Sequence, residues 1–227
     1  EDVLIPCQTD IAMNWSEQFK DNKNRWFGFS PRARVIAYDP EKVAKEDLPE
    51  YWWEYGDAVM ADPRFGTTST HIAVMGLYPK QSKKLFSSLH RKPMIGGNSA
   101  TLQAVINGTA IFAMTDTDDV HAAIERGESV VMCMPRHHVG VGGGTLLIPN
   151  TVGIVNGSAN TDLAEMFVDF LLSDEVATML ASSTSHNIPI QPEVASKFPE
   201  LLVEDPLIVD FYAARALQEK QLTTVLD

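Results

Sequence analysis

Three times along this chain a polar, hydroxyl-rich segment follows an apparent strand end or turn and opens into a helical pattern. The segments are Gly66-Thr67-Thr68-Ser69-Thr70, Gly97-Asn98-Ser99 and Thr115-Asp116-Thr117-Asp118-Asp119. Apolar runs halted by turn residues supply strands: Arg34-Val35-Ile36-Ala37-Tyr38 before Asp39-Pro40, Ala58 to Ala61 before Asp62-Pro63, and Ala110 to Met114. Helices follow from His71 to Tyr78, ended by Pro79, and through Leu102, Val105 and Ile106, closed by the left-handed cap pair Asn107-Gly108. Strand, polar loop and helix in alternation predict an α/β fold with a mostly parallel sheet flanked by helices.

The second half continues in the same manner. Thr145 to Ile148 and Thr151 to Val155 read as two strands around Pro149-Asn150, and the preceding Gly142-Gly143-Gly144 reads as a flexible joint. After Asn160 or Thr161 as cap, Leu163, Met166, Phe167, Phe170 and Leu171 recur at helical spacing, the clearest amphipathic pattern in the chain. Ser173 caps a further helix carrying Val176, Met179 and Leu180, and a proline-punctuated tail leads to a last helix near Ile208 to Gln218.

Composition narrows the partners. Among 227 residues, 18 are Lys or Arg and 30 are Asp or Glu, a formal charge of −12 that lacks the basic face nucleic acid requires. A hydrophobic fraction of 44% supports a packed core. At roughly 150 residues per domain the length fits one large domain or two small lobes. No apolar run reaches the ~20 residues of a membrane-spanning helix. Cys7 and Cys133 form no CxxC pair; one disulfide is open to them, and two unpaired buried thiols are the expectation.

Catalytic templates fail one by one. Gly97-Asn98-Ser99-Ala100-Thr101 lacks the second glycine of a nucleophile elbow, and a serine at a helix start is ordinarily a cap. The three glycines at 142–144 precede a strand, so neither spacing nor context fits a dinucleotide loop, and no Walker lysine follows any glycine loop. Val120 and His121 stand where a calcium loop needs an oxygen ligand and a glycine. Asp118 and Asp119 are read equally as helix caps or as ligand contacts. His137 and His138 are adjacent, so a regular element points them apart.

Hydroxyls and amides at helix starts, without a nucleophile and base, favour binding over turnover, and the carboxyl ends of strands in an open α/β sheet are where ligands collect. An enzyme is therefore not expected.

Ser30-Pro31-Arg32-Ala33-Arg34-Val35-Ile36-Ala37-Tyr38-Asp39, Ala61-Asp62-Pro63-Arg64-Phe65-Gly66-Thr67-Thr68, Gly97-Asn98-Ser99, the 115–119 segment, and Ile148-Pro149-Asn150-Thr151 with Phe170-Leu171-Leu172-Ser173 occur in an order that resembles the extracytoplasmic solute-binding proteins of ABC importers, most closely the ferric-iron-binding type of the family 1 extracellular solute-binding proteins. The resemblance implies a two-lobed type II periplasmic-binding fold, α/β, with mixed sheets flanked by helices and hinge strands at Arg34 to Asp39 and around Thr145 to Val155. Residues 1–37 and 145–190 are assigned to the first lobe, 38–144 and 191–227 to the second. Complete members carry further strand–helix units of the first lobe, so a truncated or cleaved first lobe is expected.

Carried over by position, the resemblance makes Thr67, Thr68, Asn98 and Ser99 contacts for the ligand or a companion anion, with Ser30 and Arg32 reaching from the other lobe. Ferric-binding members place adjacent tyrosines where this chain has Thr117 and Asp118. Phenolate coordination is thus not preserved, and Asp118 is left to offer a hard oxygen to iron(III) or another metal. The resemblance further implies a monomeric periplasmic or extracellular receptor, partnered by a membrane permease, with no resident cofactor and iron or an anion as cargo. A receptor for a phosphonate or a sugar phosphate is the alternative.

Overall fold

The computed structural model describes residues 3–89 and 96–226. Its elements are β1 (Leu4–Ile5), α1 (Asp10–Met13), β2 (Phe27–Tyr38), α2 (Gly66–Met75), α3 (Pro79–Leu89), α4 (Asn98–Ile106), β3 (Phe112–Asp116), α5 (Thr117–Glu125), β4 (Val131–Cys133), β5 (Leu147–Val152), β6 (Ile154–Val155), α6 (Thr161–Leu171), α7 (Asp174–Ala181), α8 (Pro192–Ala195) and α9 (Phe211–Leu226). The chain divides into two compact units, Glu1–Arg32 with Pro149–Leu202 and Ala33–Ile148 with Val203–Asp227. Two of the three crossings, at 32/33 and 148/149, fall inside β2 and β5, where sequence reading set them at 37/38 and 144/145; a continuous strand carries no turn signal to mark such a point.

In the first unit β1 and β6 pair antiparallel, Leu4 opposite Val155 and Ile5 opposite Ile154. Its core joins Cys7, Phe27, Phe29, Ile154, Val168 and Leu172. Ser173 caps α7 as expected, its Oγ accepting from the Val176 N–H at 3.3 Å. The stripe on α6 has a different outcome from an ordinary core face. Val168 is buried, but Leu163, Met166, Phe167 and Phe170 are 63%, 67%, 57% and 45% exposed.

In the second unit β2 is the central strand of the order β3-β2-β4, and β5 also pairs with it. The ladders of β2 with β3 and of β2 with β4 are antiparallel, which corrects the expectation of a mostly parallel sheet. Parallel pairing occurs in isolated bridges such as Val59 with Ala113. There the Val59 N–H donates to Phe112 O and the Met114 N–H to Val59 O, each at 2.9 Å, so the Ala58 to Ala61 run adds one bridge to β3 and forms no strand of its own. Ile36, Trp52, Tyr55, Ile72, Leu85 and Met114 form the centre of this unit's core, and α9 lies along α2 with Ala214 against Ala73 and Val74.

Several boundaries move for local reasons. Thr67 to Thr70 are the first turns of α2, because Gly66 takes φ +59° after Phe65 and starts the helix five residues before the apolar run begins. Pro79 begins α3, a position where its missing N–H is harmless. Thr115 and Asp116 end β3 and Thr117 opens α5 directly, so the acidic loop is a strand end and a first turn. β5 runs unbroken through Pro149-Asn150, and the last helix starts at Phe211 and reaches Leu226. As read from the sequence, α4 ends at Asn107 with Gly108 at φ +71°.

The Gly142–Gly144 segment is a close-packed crossing. The Gly142 N–H donates to Asp205 Oδ1 at 2.7 Å, the Ile208 N–H to Gly142 O at 2.9 Å, and the His138 N–H to Gly143 O at 2.9 Å. A Cβ at Gly143 would collide with His138 O and one at Gly144 with Asp205 O. These glycines are required by close backbone approach, which overturns the reading of a flexible joint. Cys7 and Cys133 are both free thiols.

Candidate functional site

The site grows from one cross-strand pair in the second unit. Arg34 on β2 stands opposite Asp116 on β3. Arg34 is fully buried, and its Nη1 donates to Asp116 Oδ1 at 2.7 Å, to Thr67 Oγ1 at 3.1 Å and to Asn98 Oδ1 at 3.4 Å. Thr67 Oγ1 donates to Asp116 Oδ2 at 2.6 Å, and Asn98 Nδ2 donates to Asp116 Oδ2 at 2.7 Å and to Thr67 Oγ1 at 3.0 Å. One buried ion pair thereby ties together the first turns of α2 and α4 and the strand end leading into α5. A buried pair holds its charge only when its remaining polar valences are met, and here a threonine and an asparagine meet those of the carboxylate. Arg34 Nη2, also buried, has no hydrogen-bond partner among the described residues.

The expected ligand residues in this unit sit around that pair in two layers. Thr67 and Thr68 are buried, and Thr68 Oγ1 lies 3.4 Å from Asn98 Oδ1. Thr117 is buried with its Oγ1 accepting the Ala33 N–H at 3.1 Å, which makes it a strand-to-helix fastener. Asn98 is half-buried and Ser99 exposed. Ser99 Oγ donates to Asp119 Oδ1 at 2.9 Å, and Thr115 Oγ1 to Asp119 Oδ2 at 3.1 Å. Asp118 and Asp119 are half-buried in the first turn of α5, where the helix dipole favours negative charge, and neither acts as N-cap. One oxygen from each of Asp116, Asp118 and Asp119 lies within 4.8 Å of the others. Asp116 is engaged by Arg34, Asp119 accepts from Ser99 and Thr115, and Asp118 stands beside them in the first turn of α5.

Ser30 and Arg32 belong to the first unit. Ser30 is buried at φ +40°, its carbonyl accepting from Asn150 Nδ2 at 2.9 Å, and Arg32 Nη1 donates to Asn150 Oδ1 at 2.8 Å.

Sequence reading missed three members of this cluster: Arg34, His71 and His137. In sequence Arg34 reads as the first residue of an apolar strand; a guanidinium inside such a run is itself the signal, because a buried arginine demands an acid. His71 and His137 come from α2 and from the segment before the glycines. Their Nε2 atoms are 2.9 Å apart, His137 Nδ1 is 2.8 Å from Gly144 O, and Arg34 Nε is 3.5 Å from His71 Nδ1. Trp52 packs edge-on against His71 with centroids 4.4 Å apart. Burial first, then His137 and Arg34, hold the His71 pKa well below the ordinary imidazole value. Burial likewise pushes His137 down to about 3, with Arg34 and His138 adding to the fall and the Gly144 carbonyl opposing it. Both rings are neutral at pH 7.

The model of the bacterial extracellular solute-binding protein family matches residues 13–208. The chain belongs to that family. Among curated relatives, it is 26% identical over 217 residues to iron uptake protein A1 of Synechocystis, covering 86% of this chain and 60% of the relative. It is 28% identical over 225 residues to the major ferric iron-binding protein of Neisseria meningitidis, covering 90% of this chain and 64% of that protein. The chain thus spans 60% and 64% of the lengths of these relatives. Solved structures agree in fold: apo ferric ion-binding protein A of Pasteurella haemolytica superposes with a TM-score of 0.81 at 18% identity, over 99% of this chain and 75% of that one. The Trichodesmium IdiA/FutA structure in complex with iron and citrate gives 0.79 at 19% identity, over 98% and 76%. The chain shares the two-lobed α/β fold of those ferric-binding proteins.

Proposed function

We propose that this chain is the extracytoplasmic solute-binding component of an ABC importer, capturing iron(III) or another hard metal ion together with a companion anion. The observation that carries the reading is the meeting of three helix starts on the Arg34–Asp116 pair, with Asp118 and Asp119 half-buried beside it. Carboxylate oxygens suit hard cations, and the first-turn N–H groups of α2 and α4 suit an anion. Arg34 Nη2, buried without a hydrogen-bond partner among the described residues, adds to the preference of this corner for an anion. The names of the relatives, which concern iron uptake and ferric iron binding, support iron as cargo. Threonine and aspartate at 117 and 118 mean that any iron is held without the paired phenolates expected of ferric-binding members.

In this reading the metal and anion are transported ligands and no cofactor is resident. The protein works as a monomer outside the cytoplasm, binds by hinge closure and delivers to a membrane permease; it catalyses no reaction and binds no nucleic acid. A receptor for a phosphonate or sugar phosphate is the second reading, favoured by the two helix starts and the orphaned guanidinium nitrogen.

Calorimetric titration with ferric citrate, with phosphate and with an alkyl phosphonate separates the two. Saturable ferric binding lost in excess chelator supports the first reading. Anion-dependent thermal stabilisation that persists in chelator replaces it with the second, and no binding of any of the three removes both.

A further inference from the structure

We propose that His71 and His137 are positioning residues that orient the Arg34 guanidinium in the candidate ligand site through a single arrangement of protons. The role rests on the reading of the Arg34–Asp116 cluster as a ligand site. The arrangement itself follows from the contacts alone.

Gly144 O can only accept, so His137 must carry its proton on Nδ1, 2.8 Å away. A neutral His137 then presents a bare Nε2 to His71 Nε2 at 2.9 Å, and the proton of that bond must come from His71. A neutral His71 protonated on Nε2 has a bare Nδ1, and this is the atom that faces the Arg34 Nε–H at 3.5 Å. Hydrogen-bond direction is therefore fixed from the guanidinium to His71, then to His137, and finally to a backbone carbonyl in the glycine crossing.

A second proton has no place in the pair. Protonating His137 on Nε2 reverses the shared bond and forces the His71 proton onto Nδ1, where it meets the Arg34 Nε–H donor to donor. Protonating His71 on Nδ1 gives the same clash. The groups facing the pair make this arrangement durable: Arg34 from β2 and His138 beside His137 both oppose added positive charge, Trp52 covers the rings without a titratable group, and Asp116 lies beyond the guanidinium and is already engaged by it. The pair holds Nε on one side while Asp116 holds Nη1 on the other, and a planar group gripped at two edges has one orientation.

The test uses the full chain labelled with 15N. Imidazole NMR at pH 7 should show the Nε2–H tautomer for His71 and the Nδ1–H tautomer for His137. In His71→Phe the Arg34 Nε–H should exchange with solvent roughly tenfold faster or more, as expected for losing one hydrogen bond to a charged donor. His71→Asn, whose Oδ1 takes the place of Nδ1 as acceptor, should restore most of the protection, a rescue that ring packing alone would not give. Titration with ferric citrate should weaken roughly tenfold in His71→Phe and less in His71→Asn. Reversed tautomers, a doubly protonated ring at pH 7, or equal Arg34 exchange in wild type and His71→Phe would overturn the proposal. The tautomer measurement decides by itself if His71→Phe does not fold. Wild-type protein that ignores ferric citrate while showing the assigned tautomers removes the iron reading and upholds the proton arrangement that orients Arg34.

Discussion

Arg34 and Asp116 are directly opposed in the β2–β3 ladder, and their side chains close a 2.7 Å ion pair that solvent does not reach. The backbone register sets this contact: the two Cα atoms are cross-strand partners, so both side chains emerge on the same face of the sheet. Thr67 and Asn98 then attach two helix starts to it.

Removing one member of that pair is expected to cost more than removing both. Arg34→Met leaves a buried carboxylate uncompensated, and stability measured by urea denaturation should fall by about 3–5 kcal/mol. Arg34→Met with Asp116→Leu should recover most of the loss. Equal destabilisation in the single and double variants would contradict the pairing.

Acid should weaken the fold through His71 and His137. Both rings are depressed in the folded chain, His137 to about 3, whereas in the unfolded chain each titrates near the ordinary 6.5. Between these values the unfolded state binds more protons, so stability rises with pH across that window, is complete above about 6.5, and is lost as pH falls below it. Urea midpoints from pH 8 to pH 4 should therefore stay level and then decline. In His137→Phe the decline should be shallower.

Asp118 and Asp119 should divide between ligand binding and support. Asp118→Asn keeps the shape and removes a charge, and should weaken ferric binding by roughly tenfold or more if this carboxylate holds the metal. Ser99→Ala frees one oxygen of Asp119 and should have a smaller effect. Calorimetry on the three proteins gives the ranking directly.

The apolar stripe of α6 should tolerate polar substitution. Met166→Lys and Phe167→Ser lie at positions 67% and 57% exposed, so stability should change by no more than about 0.5 kcal/mol and solubility should rise. Val168→Ala, on the buried side, should cost about 1–3 kcal/mol. Thermal melts of the three variants distinguish a surface stripe from a core face.

Much of the local structure was legible from residue order. The Ser173 cap, the Asn107-Gly108 stop and the helix through Leu163 to Leu171 follow from signals spanning four to eight residues, and each is where its pattern puts it. The three helix starts were visible as polar segments, and their order carried the family. Other features resisted because their cause is remote. Which way β3 and β4 run against β2 depends on the path between them, and short apolar runs look alike in both directions. The α6 stripe reads as a core face because periodicity reports that a helix has an apolar side, and says nothing of what that side meets.

The sequence by itself determined the α/β class, the family, the caps and the set of hydroxyl, amide and carboxylate groups available for binding. Only the tertiary structure decided that Arg34 and Asp116 neutralise each other, that Thr117 fastens β2, and that the glycines at 142–144 are a tight crossing. It also joined His71 to His137 across 66 positions of chain. Caps and periodicities are fixed by neighbours within a turn. A buried charge, a neutral histidine pair or a glycine under a carbonyl is fixed by whatever the fold brings beside it, and that partner is distant in sequence.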